Sequence, residues 1–186
     1  MAKLLTKSKY LYGLQCPRLL WISVNKKELM PKTDEAQQKI FDVGTSVGEF
    51  ATSVYDGIKV PENGFVENIN QTKELLKQKK TLFEPGFMVD GLFSRGDILE
   101  YTEDGWNIIE VKASTQVKDV HIHDVSFQKH VYEKRGSKIS KCFLIFVNNE
   151  YVKDGAIDAN KLFTQEDITQ QVEEFTEGLL ERIQSM

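Results

Sequence analysis

Cysteine is scarce. Cys16 and Cys142 are the two in 186 residues, too few for a disulfide framework, and such usage points to the cytoplasm. Long apolar runs are missing as well. No stretch approaches the ~18 apolar residues that cross a bilayer, which excludes a membrane helix, and residues 1–8 hold no long apolar region, so no secretory signal is expected. Basic charge is in deficit, with 24 Lys and Arg against 28 Asp and Glu and a formal net charge of −4. That excludes a chain coated in basic surface, but not a local basic groove, because distribution matters more than the sum. Histidine is rare too. His121 and His123 flank Ile122, a spacing that can bind zinc from a strand, but they fall at a helix entry without a nearby cysteine and read as helix-start or surface residues. His130 reads as a polar-face residue of the same helix. Neither internal repeats nor low-complexity tracts occur.

What is present supports an ordinary core. At 40% hydrophobic and 28% charged residues, the chain reads as one α/β domain over 1–186. A helical segment at 6–30 precedes a core at 34–150, and a helix follows at about 164–184. Residues 6–24 read as helix interrupted at Cys16-Pro17, since Pro removes a backbone donor and biases the residue before it away from α. Residues 35–55 give the strongest helical stripe, Ala36, Ile40, Val43, Val47, Phe50, Ala51 and Val54, with Gly44 and Gly48 suggesting close approach to another backbone. Residues 56–70 read as irregular, and 71–80 as a lysine-rich polar helix capped by Asn70. Its Lys73, Lys77, Lys79 and Lys80 suit either solvent or a DNA-facing edge. Leu82 to Val89 reads as one strand broken at Pro85-Gly86. Residues 119–135 read as helix ended by Gly136, and Lys141 to Val147 as a strand buried on both faces, with Cys142 as core packing.

The chain is organised around two further strands. Ile98-Leu99-Glu100 and Trp106 to Lys112 are β-formers, and Glu103-Asp104-Gly105 between them reads as a hairpin turn. Alternation puts Glu110 and Lys112 on one face and Ile109 and Val111 on the other. With Asp97 near the mouth of the hairpin, two carboxylates and an ammonium converge. Two such carboxylates repel unless a positive group sits between them. Mg²⁺ suits them, because hard cations take oxygen ligands, and Lys112 would orient a metal-bound water or stabilise a developing anion. The plainer reading makes Asp97 and Glu110 solvated and Lys112 a simple partner of Glu110. Glu49, well round from the apolar stripe of its helix, reads as solvated unless the edge carrying the site lies on that flank.

Three motifs in order resemble the PD-(D/E)XK nuclease superfamily, and more narrowly its RecB-like and CRISPR-associated exonuclease branch. Gly96-Asp97-Ile98 resembles the branch's G-D-I strand, Glu110-Val111-Lys112 its (D/E)-x-K, and Gln128 to Tyr132 the Q-x-x-x-Y on the next helix. Cys16-Pro17-Arg18 with Trp21 is similar to the C-P-R opening of the exonucleases. The chain also resembles the N-terminal region of a bacterial family of unknown function carrying this domain. The likeness spans roughly 8–150 and implies a restriction-endonuclease-like core of helix, three strands, helix and strand. It implies Asp97, Glu110 and the backbone carbonyl of Val111 as ligands of Mg²⁺ or Mn²⁺, Lys112 as the catalytic lysine, and Gln128 and Tyr132 as site support or DNA contacts. Gly48 stands where relatives carry a helix-borne His, and Glu49 follows it as a substitute ligand. Relatives often hold an iron–sulfur cluster on four cysteines. Cys16 matches the first, but residues 143–186 contain none, so that cluster is not expected from this chain's own cysteines.

The resemblance thus implies a metal-dependent deoxyribonuclease, an exonuclease acting on single- or double-stranded DNA. The competing readings are a catalytically silent DNA-binding or regulatory module of a larger protein, and a structural α/β interaction domain with Glu110 and Lys112 as a surface pair.

Overall fold

A computed structural model describes residues 4–61 and 63–186. Met1 to Lys3, the start of the segment read as lacking a signal, and Glu62, within the stretch read as irregular, lie outside the described residues.

Strand β1 (Leu5–Thr6) runs directly into helix α1 (Lys7–Gln15), which Thr6 caps by accepting the Lys9 N–H at 3.3 Å. Cys16 is extended (φ −166°, ψ 120°), the conformation a following proline favours, and Pro17 opens helix α2 (Pro17–Asn25) where it forfeits no hydrogen bond. The interruption expected at Cys16-Pro17 therefore yields two helices. Asp34 caps α3 (Glu35–Thr52) by accepting the Gln37 N–H at 2.7 Å. There follow β2 (Gly57–Lys59), α4 (Phe65–Leu75), β3 (Thr81–Phe83), β4 (Gly86–Val89), β5 (Leu92–Arg95), β6 (Ile98–Thr102) and β7 (Gly105–Lys112). The remainder is α5 (Asp119–Lys134), β8 (Ile139–Val147), α6 (Ala159–Leu162), β9 (Phe163–Asp167), α7 (Thr169–Thr176) and α8 (Leu179–Gln184).

The protein is mixed α/β. One sheet has the order β2-β3-β6-β7-β8-β9 and a smaller one the order β1-β5-β4. β6 and β7 form the expected antiparallel hairpin, with Gly105 at φ +139°. β7 and β8 pair in parallel, joined through α5, so the crossover lays α5 across the face that carries every second residue of β7. On that face Leu99, Ile108, Cys142, Leu144 and Phe146 pack with Phe127 and Val131 of α5, Tyr10 of α1 and Val172 of α7. On the other, Ile98, Ile109 and Ile145 pack with Ala51 of α3. Among the described residues no helix is long and apolar enough to cross a membrane.

Several sequence expectations are corrected. Leu82 to Val89 is two strands in two sheets: β3 pairs with β6, and β4 with β5. Glu84, at φ +57°, makes the step. The opposite arm steps at the same place, where Glu84 N–H donates to Asp97 O at 2.9 Å and Gly96 N–H to Pro85 O at 3.2 Å. The polar helix begins at Phe65, and Asn70 lies inside it. Its polar residues are partly internal: Asn68 Nδ2 donates to Glu84 O at 3.1 Å, and Thr72 Oγ1 accepts the Gly86 N–H at 3.0 Å. The stripe of α3 is buried chiefly at Ala51, while Ile40, Phe41 and Val43 are more than half exposed. A Cβ built on Gly44 or Gly48 meets nothing within 4 Å among the described residues, so close backbone approach does not explain them. The C-terminal helix is a strand and two helices, broken at Gly178 (φ +72°).

Candidate active site

The site forms where β7, α5, α1 and the double step between the sheets meet. Ile108, Glu110 and Lys112 face α5 by strand alternation, while Asp124, Gln128 and Tyr132, at spacings of four, lie on one face of α5. Glu110, Asp124, Gln128 and Tyr132 are each at most 1% exposed. Lys112 Nζ lies 2.6 Å from Glu110 Oε1 and 2.6 Å from Asp124 Oδ2. Lys7, the first residue of α1, reaches the same carboxylates, at 2.9 Å from Glu110 Oε1 and 3.3 Å from Asp124 Oδ1. Gln128 Nε2 donates to Glu110 Oε2 at 2.7 Å and to Asp124 Oδ1 at 3.2 Å.

Asp97 stands at the step out of the sheet. Its Oδ2 accepts the Val111 N–H at 2.7 Å, which ties it to the strand carrying Glu110 and Lys112. Asp97 lines two clefts. One, of about 560 Å³, also involves Lys7, Ser8, Phe65, Phe93 and Arg95. The other, of about 430 Å³, is bounded by Gly44, Thr45, Gly48, Glu49, Thr52 and Val111. Arg95 pairs with Glu84 at 3.1 Å.

The electrostatics follow from burial and crowding. Burial opposes ionisation of Glu110, but the charges of Lys112 and Lys7 and their hydrogen bonds outweigh it and hold the carboxyl well below its usual range. Burial also works against charge on Lys112 and Lys7. For Lys112 the Glu110 and Asp124 carboxylates prevail, for Lys7 those of Asp124 and Glu110, and both ammoniums titrate above the ordinary lysine range. Asp97 is pushed up to about 7 by burial and then by the Glu110 charge. Asp124 is raised by the same two causes. Three carboxylates thus face two ammonium groups.

Tyr132 and Gln128 enclose the Gly96 backbone. A Cβ on Gly96 would come within 2.5 Å of Tyr132 Oη and 2.6 Å of Gln128 Oε1, and both side chains are fully buried. Gly96→Ala is therefore expected to cost about 1–3 kcal/mol by overpacking, read as a lower urea midpoint at unchanged m-value. A midpoint within error of the wild type would mean that the two side chains do not close on Gly96.

Of the residues singled out by sequence, Asp97, Glu110, Val111, Lys112, Gln128 and Tyr132 come together. Glu49 is exposed on α3 and lines the cleft of Asp97 and Val111, while Glu110 faces α5 on the other side of the sheet. Lys7 and Asp124 were missed. Asp124 had a signal, since it precedes Gln128 by one helical turn on the same face. Lys7 had none in its local sequence. His121 is buried, not superficial, and held neutral to about 4 by burial and the charges of Lys112 and Lys118. His123 packs edge-on against Phe175 and lies 3.4 Å from Tyr10 Oη.

Asp97, Glu110 and Asp124 offer a cation oxygen alone, which suits Mg²⁺ or Mn²⁺. Among the described residues, no three or more His, Cys, Asp or Glu side chains are grouped to hold an ion. A cation would therefore draw on few carboxylates and complete its shell with backbone oxygen and water, as Mg²⁺ does.

No family model matches the chain. The uncharacterized protein UU173 of Ureaplasma parvum serovar 3 is 35% identical over 78 residues, 41% of this chain but 11% of that protein. The match therefore covers only a small part of that relative. Among solved structures, SSO0001 aligns at a TM-score of 0.48 and 13% identity, over 97% of this chain and 77% of the other. An alkaline exonuclease (LHK-Exo) from Laribacter hongkongensis aligns at 0.49 and 10%, over 98% and 88%. With both TM-scores below one half, these likenesses decide neither the family nor the chemistry of this chain.

Proposed function

We propose that the protein is a metal-dependent deoxyribonuclease that hydrolyses phosphodiester bonds with Asp97, Glu110 and Lys112. The observation that carries the reading is one juxtaposition. The Lys112 ammonium touches Glu110 at 2.6 Å, and the peptide N–H between those two residues is held by Asp97 at 2.7 Å. An acid pair and a lysine are thus fixed together at the end of a central strand, beside clefts that reach Asp97.

Asp97, Glu110 and the backbone carbonyl of Val111 are the proposed holders of Mg²⁺ or Mn²⁺. When bound, the ion supplies Lewis acidity toward the phosphate and a lowered pKa for water. The chain's own residues do the rest. Lys112 presents a fixed ammonium to charge developing on a phosphoryl oxygen. Gln128 grips Glu110 Oε2 and so fixes the rotation of that carboxylate. Tyr132 and Gln128 back Gly96 and hold the Asp97 turn in place. Lys73 within α4 and Lys77, Lys79 and Lys80 between α4 and β3 are the proposed basic flank for DNA. Function within a longer cytoplasmic protein belongs to the same proposal.

One observation favours a silent DNA-binding module instead: both oxygens of Glu110 already carry donors from Lys7, Lys112 and Gln128. The experiment that separates the readings follows end-labelled single- and double-stranded DNA with Mn²⁺. Asp97→Asn and Lys112→Met are expected to lose about 10²–10³-fold in rate, the scale for removing an electrostatic stabiliser, with unchanged circular dichroism. Cleavage persisting in both variants would remove the assignment. Salt-sensitive binding without turnover in the wild type would establish the silent module.

A further inference from the structure

We propose that Lys7 is an exchangeable cation of this site: its ammonium occupies Glu110 until a divalent ion claims that oxygen, and it then serves a phosphate of a nucleic-acid strand in the adjoining cleft. The inference rests on the reading of Asp97 and Glu110 as metal ligands.

The first argument is occupancy. Glu110 Oε1 accepts from Lys112 at 2.6 Å and from Lys7 at 2.9 Å. A carboxylate oxygen has two lone-pair sites, so a cation approaching Oε1 must replace one donor. Lys7 is the one to leave. Lys112 sits two residues from Glu110 on the same strand and holds both acids at 2.6 Å, whereas Lys7 comes from another element at 2.9 Å and 3.3 Å.

The second argument is charge. With Asp97 ionised, as a ligand of the ion, Asp97, Glu110 and Asp124 with Lys7 and Lys112 sum to −1. Adding a divalent ion while keeping both lysines gives +1, and exchanging Lys7 for the ion gives zero. In a site this buried, the neutral arrangement carries the smallest desolvation penalty.

The third argument is where Lys7 can go. The α1 backbone is anchored: Tyr10 is fully buried, stacks on Phe127 at 5.0 Å and receives Arg182 Nε at 3.4 Å. Exchange therefore moves the flexible side chain and not the helix. Lys7 already lines the cleft of about 560 Å³ beside Ser8, Phe65, Phe93 and Asp97. An ammonium released from Glu110 turns into that cleft, where a strand crossing Asp97 presents its phosphates.

The test needs no turnover. Mn²⁺ is titrated calorimetrically into wild type, Lys7→Met and Glu110→Gln without DNA, and oligothymidine binding is measured in Ca²⁺ over a salt series. Lys7→Met is expected to bind Mn²⁺ about tenfold or more tightly than wild type, because a competing positive charge is gone. It is expected to bind oligothymidine more weakly, with a salt slope reduced by about one. If Lys7→Met binds Mn²⁺ no better than wild type while Glu110→Gln loses the ion, the exchange is wrong and the metal site stands. If no Mn²⁺ binding depends on Glu110, both readings fall. Tighter Mn²⁺ with an unchanged oligothymidine slope overturns the phosphate half. Should Lys7→Met not fold, the wild type answers through its lysine Nζ resonances. The Lys7 ammonium signal, slow to exchange between two carboxylates, is expected to disappear on adding Mg²⁺ while that of Lys112 persists. A Lys7 signal that persists at saturating Mg²⁺ overturns the proposal.

Discussion

Glu110→Ala is expected to cost the metal-free fold about 3–5 kcal/mol, the range for breaking a buried ionic cluster by removing one partner. The residue is 1% exposed and receives Lys7, Lys112 and Gln128. Truncation leaves two ammoniums to share Asp124 alone, and the Gln128 amide keeps only its 3.2 Å contact with Asp124. The loss is thus the penalty of uncompensated buried charge, far more than the cavity of one carboxyl. Urea unfolding at constant m-value gives the number, and a cost below about 1 kcal/mol would place the cluster in solvent. For experiments on metal, Glu110→Gln is the better variant, because it removes the charge while keeping the volume and one acceptor.

Asp97→Asn is expected to stabilise the metal-free protein above neutral pH while slowing cleavage by the same factor of about 10²–10³. Burial and the Glu110 charge raise Asp97 from 3.8 to about 7 in the fold. The folded state therefore retains a proton that the unfolded chain releases, and wild-type stability declines through this residue as pH rises from about 4 to about 7. Asparagine stands in for the protonated acid and still offers an oxygen to Val111 N–H. The variant and the wild type should match below about pH 4 and diverge to about 2–4 kcal/mol above pH 7. Glu110 and the lysines are common to both proteins, so the comparison reads Asp97 together with its coupling to them. Thermal melts in chelator across that range test it. Melting curves that stay parallel from pH 4 to 8 would show that Asp97 ionises freely. Saturating Mn²⁺ should narrow or reverse the difference, since an ion bound by the ionised acid stabilises only the wild-type fold.

The legible part of the site was its local part. Alternation alone placed Glu110 and Lys112 opposite Ile109 and Val111, and a spacing of four placed Gln128 with Tyr132, because both periods are fixed by backbone geometry. Asp124 obeys the same helical period but reads as one more acid on a polar-looking helix. Its inward direction depends on where α5 lies against β7. Lys7 could not be read at all, since nothing in residues 4–10 reveals a carboxylate partner 103 positions away. The fold divides similarly. The β6–β7 hairpin, the Cys16-Pro17 break and the apolar run of β8 were announced by turn chemistry and composition. The sheet exchange at Glu84–Gly86 was not, because it requires Gly96–Asp97 to step at the same point, a match between two segments that neither contains alone. The early start of α4 was hidden by Asn68, a polar residue that is buried because a backbone carbonyl of the neighbouring turn needs it.

The attachment of β1 and α1 bears on the order of folding. Leu5 pairs with Leu92, and Lys7 reaches Glu110 across 103 residues. The β6–β7 hairpin, by contrast, closes within a few positions. Closing a long loop costs more chain entropy than closing a short one, and non-local contacts form late. The strands that flank Asp97 and carry Glu110 can therefore assemble before the first helix docks. During that interval Glu110 and Asp124 have Lys112 and water for company. The arrival of a lysine at two waiting acids is then a late event in folding, so the N-terminal helix acts as a clasp that closes the site from outside.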